Sequence, residues 1–142
     1  MSKVLYTGGT FDIFHAGHVN FLRMCSQICE DVVVSLNTDE FIERYKGTAP
    51  IFSYKEREAC LKSCRYVSRV VVNTGDEDSK PAILRSKANI LAVGNDWCHK
   101  DYYKQMSFDQ EWLDVNNITL IYLPYTLGVS SSEIIKKIKF SV

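Results

Sequence analysis

Apolar and polar positions along this chain fall into blocks with two different periods. Val4, Leu5 and Tyr6 form a short apolar run that predicts a buried strand. Between residues 19 and 29, Val19, Leu22, Cys25 and Cys29 recur at helical spacing and predict an amphipathic helix over 19–28. Residues 31–37 are short and β-branched, a second buried strand. Thr38 then caps a brief helix, with Asp39 and Glu40 in the first turn, where negative charge is favoured. Residues 44–52 contain Gly47 and Pro50, show no period and predict a loop. Ser53-Tyr54-Lys55-Glu56 has the form of a capping box and opens a helix to about residue 63. Residues 67–72 predict a third strand, and the polar, acidic stretch 73–79 a loop. Pro81 suits the first turn of a helix reaching about residue 87, and 90–93 is a fourth strand ending at Gly94. Residues 95–106 mix polar and aromatic types without a period. A helix over 108–115, a fifth strand over 118–123 and a last helix over 133–139 complete the pattern, the last behind a second capping box, Ser130 to Glu133.

Strands that alternate with helices predict an α/β fold: a Rossmann-like, doubly wound domain over residues 1–142, its five-stranded parallel sheet flanked by helices. The first strand–helix–strand unit predicts a right-handed crossover. Such sheets bind ligands beyond the carboxyl ends of their strands. The turn at Gly8 and residues 37–39, 94–97 and 124–130 all fall at predicted carboxyl ends, so they are expected to converge on one site.

Composition narrows the partners. The 17 basic and 17 acidic residues cancel, which gives no argument for nucleic acid. No apolar run has membrane-spanning length, and the N-terminus lacks a charged-then-apolar leader pattern. The expectation is a domain that engages neither nucleic acid nor membrane. The 5 cysteines are an odd number, so a full set of intrachain disulfides is impossible. Cys25/Cys29 and Cys60/Cys64 have helical i,i+4 spacing. No histidine stands in a matching ligand spacing, so they read as small core-facing side chains rather than a metal site. A reducing cytoplasm is the corresponding compartment.

The chemistry concentrates in Gly8-Gly9-Thr10-Phe11-Asp12-Ile13-Phe14-His15-Ala16-Gly17-His18, directly after the first strand. A glycine-rich strand-to-helix turn aims N–H groups and the positive end of a helix dipole at whatever lies above it, a position suited to phosphate. His15 and His18 lie three apart and share one face if both fall in the first turn. Paired imidazoles beside a phosphate can donate to charge developing on its oxygens.

This run resembles the HxGH signature of the nucleotidyltransferase superfamily, and within it the cytidylyltransferase family, the glycerol-3-phosphate cytidylyltransferases most of all. Further stretches carry the resemblance: residues 35–41; Ser53 to Arg57 through Arg65-Tyr66-Val67; Gly94-Asn95-Asp96-Trp97; and Tyr125-Thr126-Leu127-Gly128-Val129-Ser130-Ser131-Ser132. The resemblance implies transfer of a cytidylyl group from CTP, with Mg²⁺, to a phosphorylated small alcohol, giving a CDP-alcohol and pyrophosphate. It also implies a homodimer. In its terms His15, His18 and Lys46 are catalytic. Gly8, Gly9, Thr10, Phe11, Gly94, Asp96, Tyr125, Thr126, Ser130, Ser131 and Ser132 meet the nucleotide, together with the two histidines. Asp12, Asp39, Lys46 and Arg65 meet the acceptor. Trp97 is divided between base pocket and core, and mid-helix Arg57 between a phosphate contact and a structural role.

The sequence departs from the family pattern at two places. Tyr125 stands where the family has arginine, and Lys100, Lys104 or Arg44 are the candidates to replace that charge. Residues 73–78, an acidic stretch, stand where the family has a tryptophan near the acceptor, which argues against a quaternary ammonium acceptor. Two alternatives accompany the main reading. One is the same reaction with another acceptor or with ATP, against which Ile13 counts because the adenylyltransferase branch has proline there. The other is a nucleotide-binding module without catalysis.

Overall fold

The computed structural model describes residues 3–95, 102–124 and 126–141. Five strands form one sheet in the order β3-β2-β1-β4-β5. They are β1 (Val4–Gly9), β2 (Asp31–Leu36), β3 (Arg69–Val72), β4 (Ile90–Gly94) and β5 (Thr119–Leu123), and every pairing is parallel. Around them run α1 (Ala16–Ile28), α2 (Asp39–Lys46), α3 (Tyr54–Ser63), α4 (Lys80–Ser86), α5 (Tyr102–Met106), α6 (Gln110–Val115) and α7 (Ser131–Phe140).

The period-2 geometry of the strands divides the core. Leu5 of β1 and Ala92 of β4 face one way, with Leu22, Cys25 and Cys29 of the α1 region and Leu61 of α3. Tyr6 and Leu91, one residue along, face the other way with Ala82 and Ile83 of α4 and Leu113 of α6. Helices therefore cover both faces. The chain winds outward from β1 to β2 and β3, then returns to β4 beside β1 and continues to β5. The point of reversal lies between β1 and β4, where this architecture opens a crevice at the carboxyl ends.

The expected caps are present. Thr38, Ser53 and Ser130 each accept the backbone N–H three residues on, from Phe41, Glu56 and Glu133. Differences from expectation have local causes. The third strand starts at Arg69 rather than 67, because Val67 N–H closes a turn onto Cys64 and Ser68 joins β2 through its own N–H and hydroxyl. α5 lies in the stretch without a period. It is one short turn and a half, too brief for a pattern to register. α1 begins at Ala16, ahead of its first apolar position, because a histidine caps it. Among the described residues, no helix is long and apolar enough to cross a membrane.

Candidate active site

A cavity of about 470 Å³ opens at the carboxyl ends of the strands. That size accommodates a small-molecule ligand. Its wall includes Gly8, Gly9, Thr10, Phe11, His15 and His18, then Lys46, then Gly94, then Thr126 and Ser130 to Ser132.

The turn after β1 is held in an unusual backbone shape. Phe11 and Ile13 both have positive φ, 51° and 49°, in the left-handed region that costs a non-glycine residue energy. Asp12 between them supports the turn: its Oδ1 accepts from Ile13 N–H at 3.0 Å and from Phe52 N–H at 2.8 Å, and its Oδ2 from Ile51 N–H at 2.7 Å. Ser131 Oγ donates to the Asp12 carbonyl at 2.5 Å, which fastens the N-terminus of α7 to the same turn. Gly17 has a separate reason. A Cβ there would lie 2.9 Å from His15 Cε1 and 3.2 Å from Val129, so only glycine lets the ring and the 126–130 segment close over α1.

The two histidines form a capping box in which imidazoles replace the usual hydroxyl and carboxylate. His15 is the N-cap of α1 and its Nδ1 accepts from Gly17 N–H at 3.0 Å. His18, at the third helical position, returns the arrangement, its Nδ1 accepting from His15 N–H at 3.2 Å. A backbone N–H can only donate, so each Nδ1 must carry a lone pair and each neutral ring carries its proton on Nε2. The cap thereby fixes the tautomer and leaves an Nε2–H as the free donor edge of each ring.

The rings stack on each other, 3.7 Å between centroids, and His18 also meets Phe14 at 5.5 Å and Phe11 at 5.2 Å. That apolar surrounding disfavours the imidazolium. Burial, reinforced by His15 and only partly opposed by Asp12, pushes the His18 pKa down to about 3. Burial also lowers His15. At neutral pH the pair is a set of neutral donors rather than a pair of cations. The N-termini of α1 and α7 both reach this cavity, α1 with no acidic residue in its first turn, so two positive dipole ends face one volume.

Arg57 supplies the support from beneath. It is fully buried, and its guanidinium reaches the carbonyls of Phe52 (3.0 Å), Thr10 (2.9 Å) and Asn37 (2.9 Å) and the Asp39 carboxylate (2.6 Å). One side chain thus ties the ends of β1 and β2 to the start of α2 and to Phe52, the residue before the N-cap of α3. At the rim, Arg44 pairs with Asp76 at 3.3 Å and Glu77 at 2.8 Å, an exposed pair that lowers the Glu77 pKa.

Residues 6–137 match the family model described as cytidylyltransferase-like. The chain belongs to the cytidylyltransferase-like family. Among its relatives are the FAD synthase of Pyrococcus horikoshii, 35% identical over 92% of this chain and 88% of that protein. The glycerol-3-phosphate cytidylyltransferase of Bacillus subtilis is 32% identical over 97% of this chain and 98% of that protein. The solved structure of the lipopolysaccharide core biosynthesis protein from Thermoplasma volcanium superposes with a TM-score of 0.70 at 22% identity, over 89% of this chain and 98% of that one, a likeness of fold. As a cytidylyltransferase-like protein with such relatives, the chain is a nucleotidyltransferase.

In this nucleotidyltransferase most residues expected at the site do meet at the cavity: both histidines, Lys46, the glycine turn, Gly94, Thr126 and the three serines. Asp12, Asp39 and Arg65 are not among its lining. The Asp12 carboxylate accepts backbone N–H groups, and Asp39 is paired with Arg57 and accepts Tyr54 N–H at 3.2 Å. Arg65 follows α3, near where the chain enters β3. It donates to the Tyr66 hydroxyl at 3.0 Å and lies toward the amino edge of the sheet, away from the cavity. Arg57 has the structural role of the two considered for it. Asp96, Trp97, Lys100 and Tyr125 lie outside the described residues. Of the replacements considered for the family arginine, Arg44 is engaged with Asp76 and Glu77, and Lys104 of α5 is not in the cavity wall.

Sequence reasoning placed residues 37–39 at the site but missed the polar floor that Asn37 forms with Asn73. Asn37 Nδ2 donates toward Thr10 Oγ1 at 3.5 Å, and Asn73 Nδ2 donates to Asn37 Oδ1 at 3.0 Å and to the Asp76 carbonyl at 3.0 Å. Both asparagines end strands whose carboxyl ends line the cavity, and that placement was the signal available.

Proposed function

We propose that this chain transfers a cytidylyl group from CTP to the phosphate of a small phosphorylated alcohol, with glycerol 3-phosphate the first candidate. A phosphate oxygen of the acceptor attacks the α-phosphorus of the nucleotide. The bond from that phosphorus to the bridging oxygen breaks, and pyrophosphate leaves with the electron pair. A phosphate monoester has its second pKa near about 6, so the nucleophile is already ionised at pH 7 and no general base is needed. What the reaction requires is alignment and stabilisation of charge.

The observation that carries this reading is the imidazole capping box. Two rings locked with Nδ1 toward the backbone present Nε2–H donors, and neutral donors neither compete for the acceptor's proton nor bind it as a counter-charge. In this proposal His15 and His18 donate to α- and β-phosphate oxygens. Gly8, Gly9 and Thr10 let the nucleotide approach the backbone. Ser130 to Ser132, at the start of α7, take the distal phosphates. Lys46, the last residue of α2, bridges the acceptor phosphate and the nucleotide. Mg²⁺ would arrive on the triphosphate, held by phosphate oxygens. The described residues offer no group of three or more His, Cys, Asp or Glu that could hold a metal ion. The unbridged Cys25, Cys29, Cys60 and Cys64 fit a reducing, cytoplasmic setting.

The similarity to FAD synthases favours a second reading, in which an adenylyl group passes from ATP to a flavin mononucleotide. Pyrophosphate release across a matrix of nucleotides and phosphorylated acceptors separates the two. Turnover with CTP and glycerol 3-phosphate supports the first. Turnover confined to ATP and flavin mononucleotide replaces it with the second. Nucleotide binding without turnover on any acceptor refutes both.

A further inference from the structure

We infer that Asp12 is a positioning residue: its carboxylate fixes the path of the chain that leaves Lys46, and with it the place of the lysine ammonium at the cavity. This rests on the proposal that Lys46 touches the reacting phosphates.

The chain geometry leads to this assignment. α2 ends at Lys46, and Gly47 turns out of the helix at φ 81°, a left-handed cap that redirects the chain. Four residues later, Ile51 and Phe52 present consecutive N–H groups, and both are received by Asp12, at 2.7 and 2.8 Å. Arg57 holds the Phe52 carbonyl at 3.0 Å, so the segment is gripped at that point from two sides. Residues 47–50 are thus a short bridge between the end of α2 and a clamped anchor. The same Asp12 lies in the turn that carries His15, and its own carbonyl receives Ser131 from α7. One residue connects the imidazoles, the lysine-bearing segment and the serine-bearing helix. Charge-assisted bonds to N–H groups are short and strong, and a carboxylate receiving three of them is a rigid joint rather than a loose surface acid.

A double-mutant cycle tests it, with CTP saturating and glycerol 3-phosphate varied, or the second nucleotide–acceptor pair if that is the active one. Asp12→Asn keeps the shape but must turn an NH₂ toward at least one backbone donor. Misplacing the lysine should lower the acceptor kcat/KM about 100-fold. In a Lys46→Ala background the same Asp12→Asn change should alter the acceptor kcat/KM by less than about threefold, because its effect is routed through the missing ammonium. Additive losses in the cycle overturn the inference and leave the proposed function standing. Asp12→Glu, which keeps the charge and overreaches by one methylene, should give the same pattern in weaker form and serves if the asparagine variant does not fold. Amide hydrogen exchange reads the joint without turnover. In Asp12→Asn, the Ile51 and Phe52 amides should lose protection while β1, β2 and α1 keep theirs. Unchanged protection there overturns the inference whatever the activity. Absence of transfer by the unaltered protein refutes the proposed function instead.

Discussion

The buried neutral state of His18 has a measurable consequence for stability. Its pKa is about 3 in the folded chain, against 6.5 for an unperturbed imidazole. Above pH 6.5 both folded and unfolded forms are neutral and the residue makes no pH-dependent contribution. Below it the unfolded chain takes up a proton that the folded chain does not. Folding stability therefore falls with pH, by up to about 1.4 kcal/mol per pH unit for one proton. Between pH 7.5 and pH 5 that amounts to about 2 kcal/mol from His18 alone, and the loss continues until the folded form protonates near pH 3. His15 is shifted in the same direction and adds to the slope.

His18→Gln isolates the effect. Glutamine is the ordinary partner at this position of a capping box, so its side-chain oxygen can still receive His15 N–H while nothing titrates. Urea unfolding of both proteins from pH 5 to pH 8 is the assay. At pH 7.5 the two should agree within about 1 kcal/mol, the worth of one capping interaction. At pH 5 the variant should have gained about 2 kcal/mol relative to the parent. Carboxylates titrate alike in both chains and cancel in the comparison. If the two pH slopes coincide, His18 takes up its proton normally in the folded state, and the picture of a neutral, Nε2-protonated donor pair is refuted. Turnover of the variant should fall at least about 100-fold, since the Nε2–H donor is gone.

Other perturbations test the remaining joints. Arg57→Met should cost about 3–5 kcal/mol in the same urea assay, because it strands the Asp39 carboxylate and three carbonyls that the guanidinium satisfies. A loss under about 1 kcal/mol would mean those groups find water readily. Gly17→Ala should lower kcat with little change in fold, because the new methyl must displace the His15 ring from 2.9 Å. An unchanged kcat would show that the ring's position is not critical. Ser130→Ala should destabilise α7 by about 1 kcal/mol through the lost bond to Glu133 N–H, read by thermal unfolding. The acid limb of the kcat/KM profile should fall near about pH 6, at the acceptor phosphate, and move with the pKa of a phosphonate analogue rather than stay with the enzyme.

The sequence reveals the fold more fully than the division of labour at the site, and the reason is physical. Strands such as 31–36 are buried on both faces, so the chain must write them as unbroken β-branched runs. Caps such as Thr38, Ser53 and Ser130 satisfy a donor three residues away, so the signal is local. The paired histidines are legible for the same reason: their capping box is complete within residues 15–18. Asp12 and Arg57 are another matter. Asp12 spends its carboxylate on Ile51 and Phe52, some forty positions away, and Arg57 reaches back to Thr10. A motif names such residues without saying whether they face a ligand or the backbone, since both uses need the same charge. Arg65 makes the converse point. Its place after α3 puts it near the amino edge of the sheet, and that follows only once α3 is known to run back against β3. Within this fold, the cavity wall is built from the carboxyl ends of strands, the starts of α1 and α7 and the end of α2. Arg57, beneath the floor, holds those strand ends together through the Thr10 and Asn37 carbonyls.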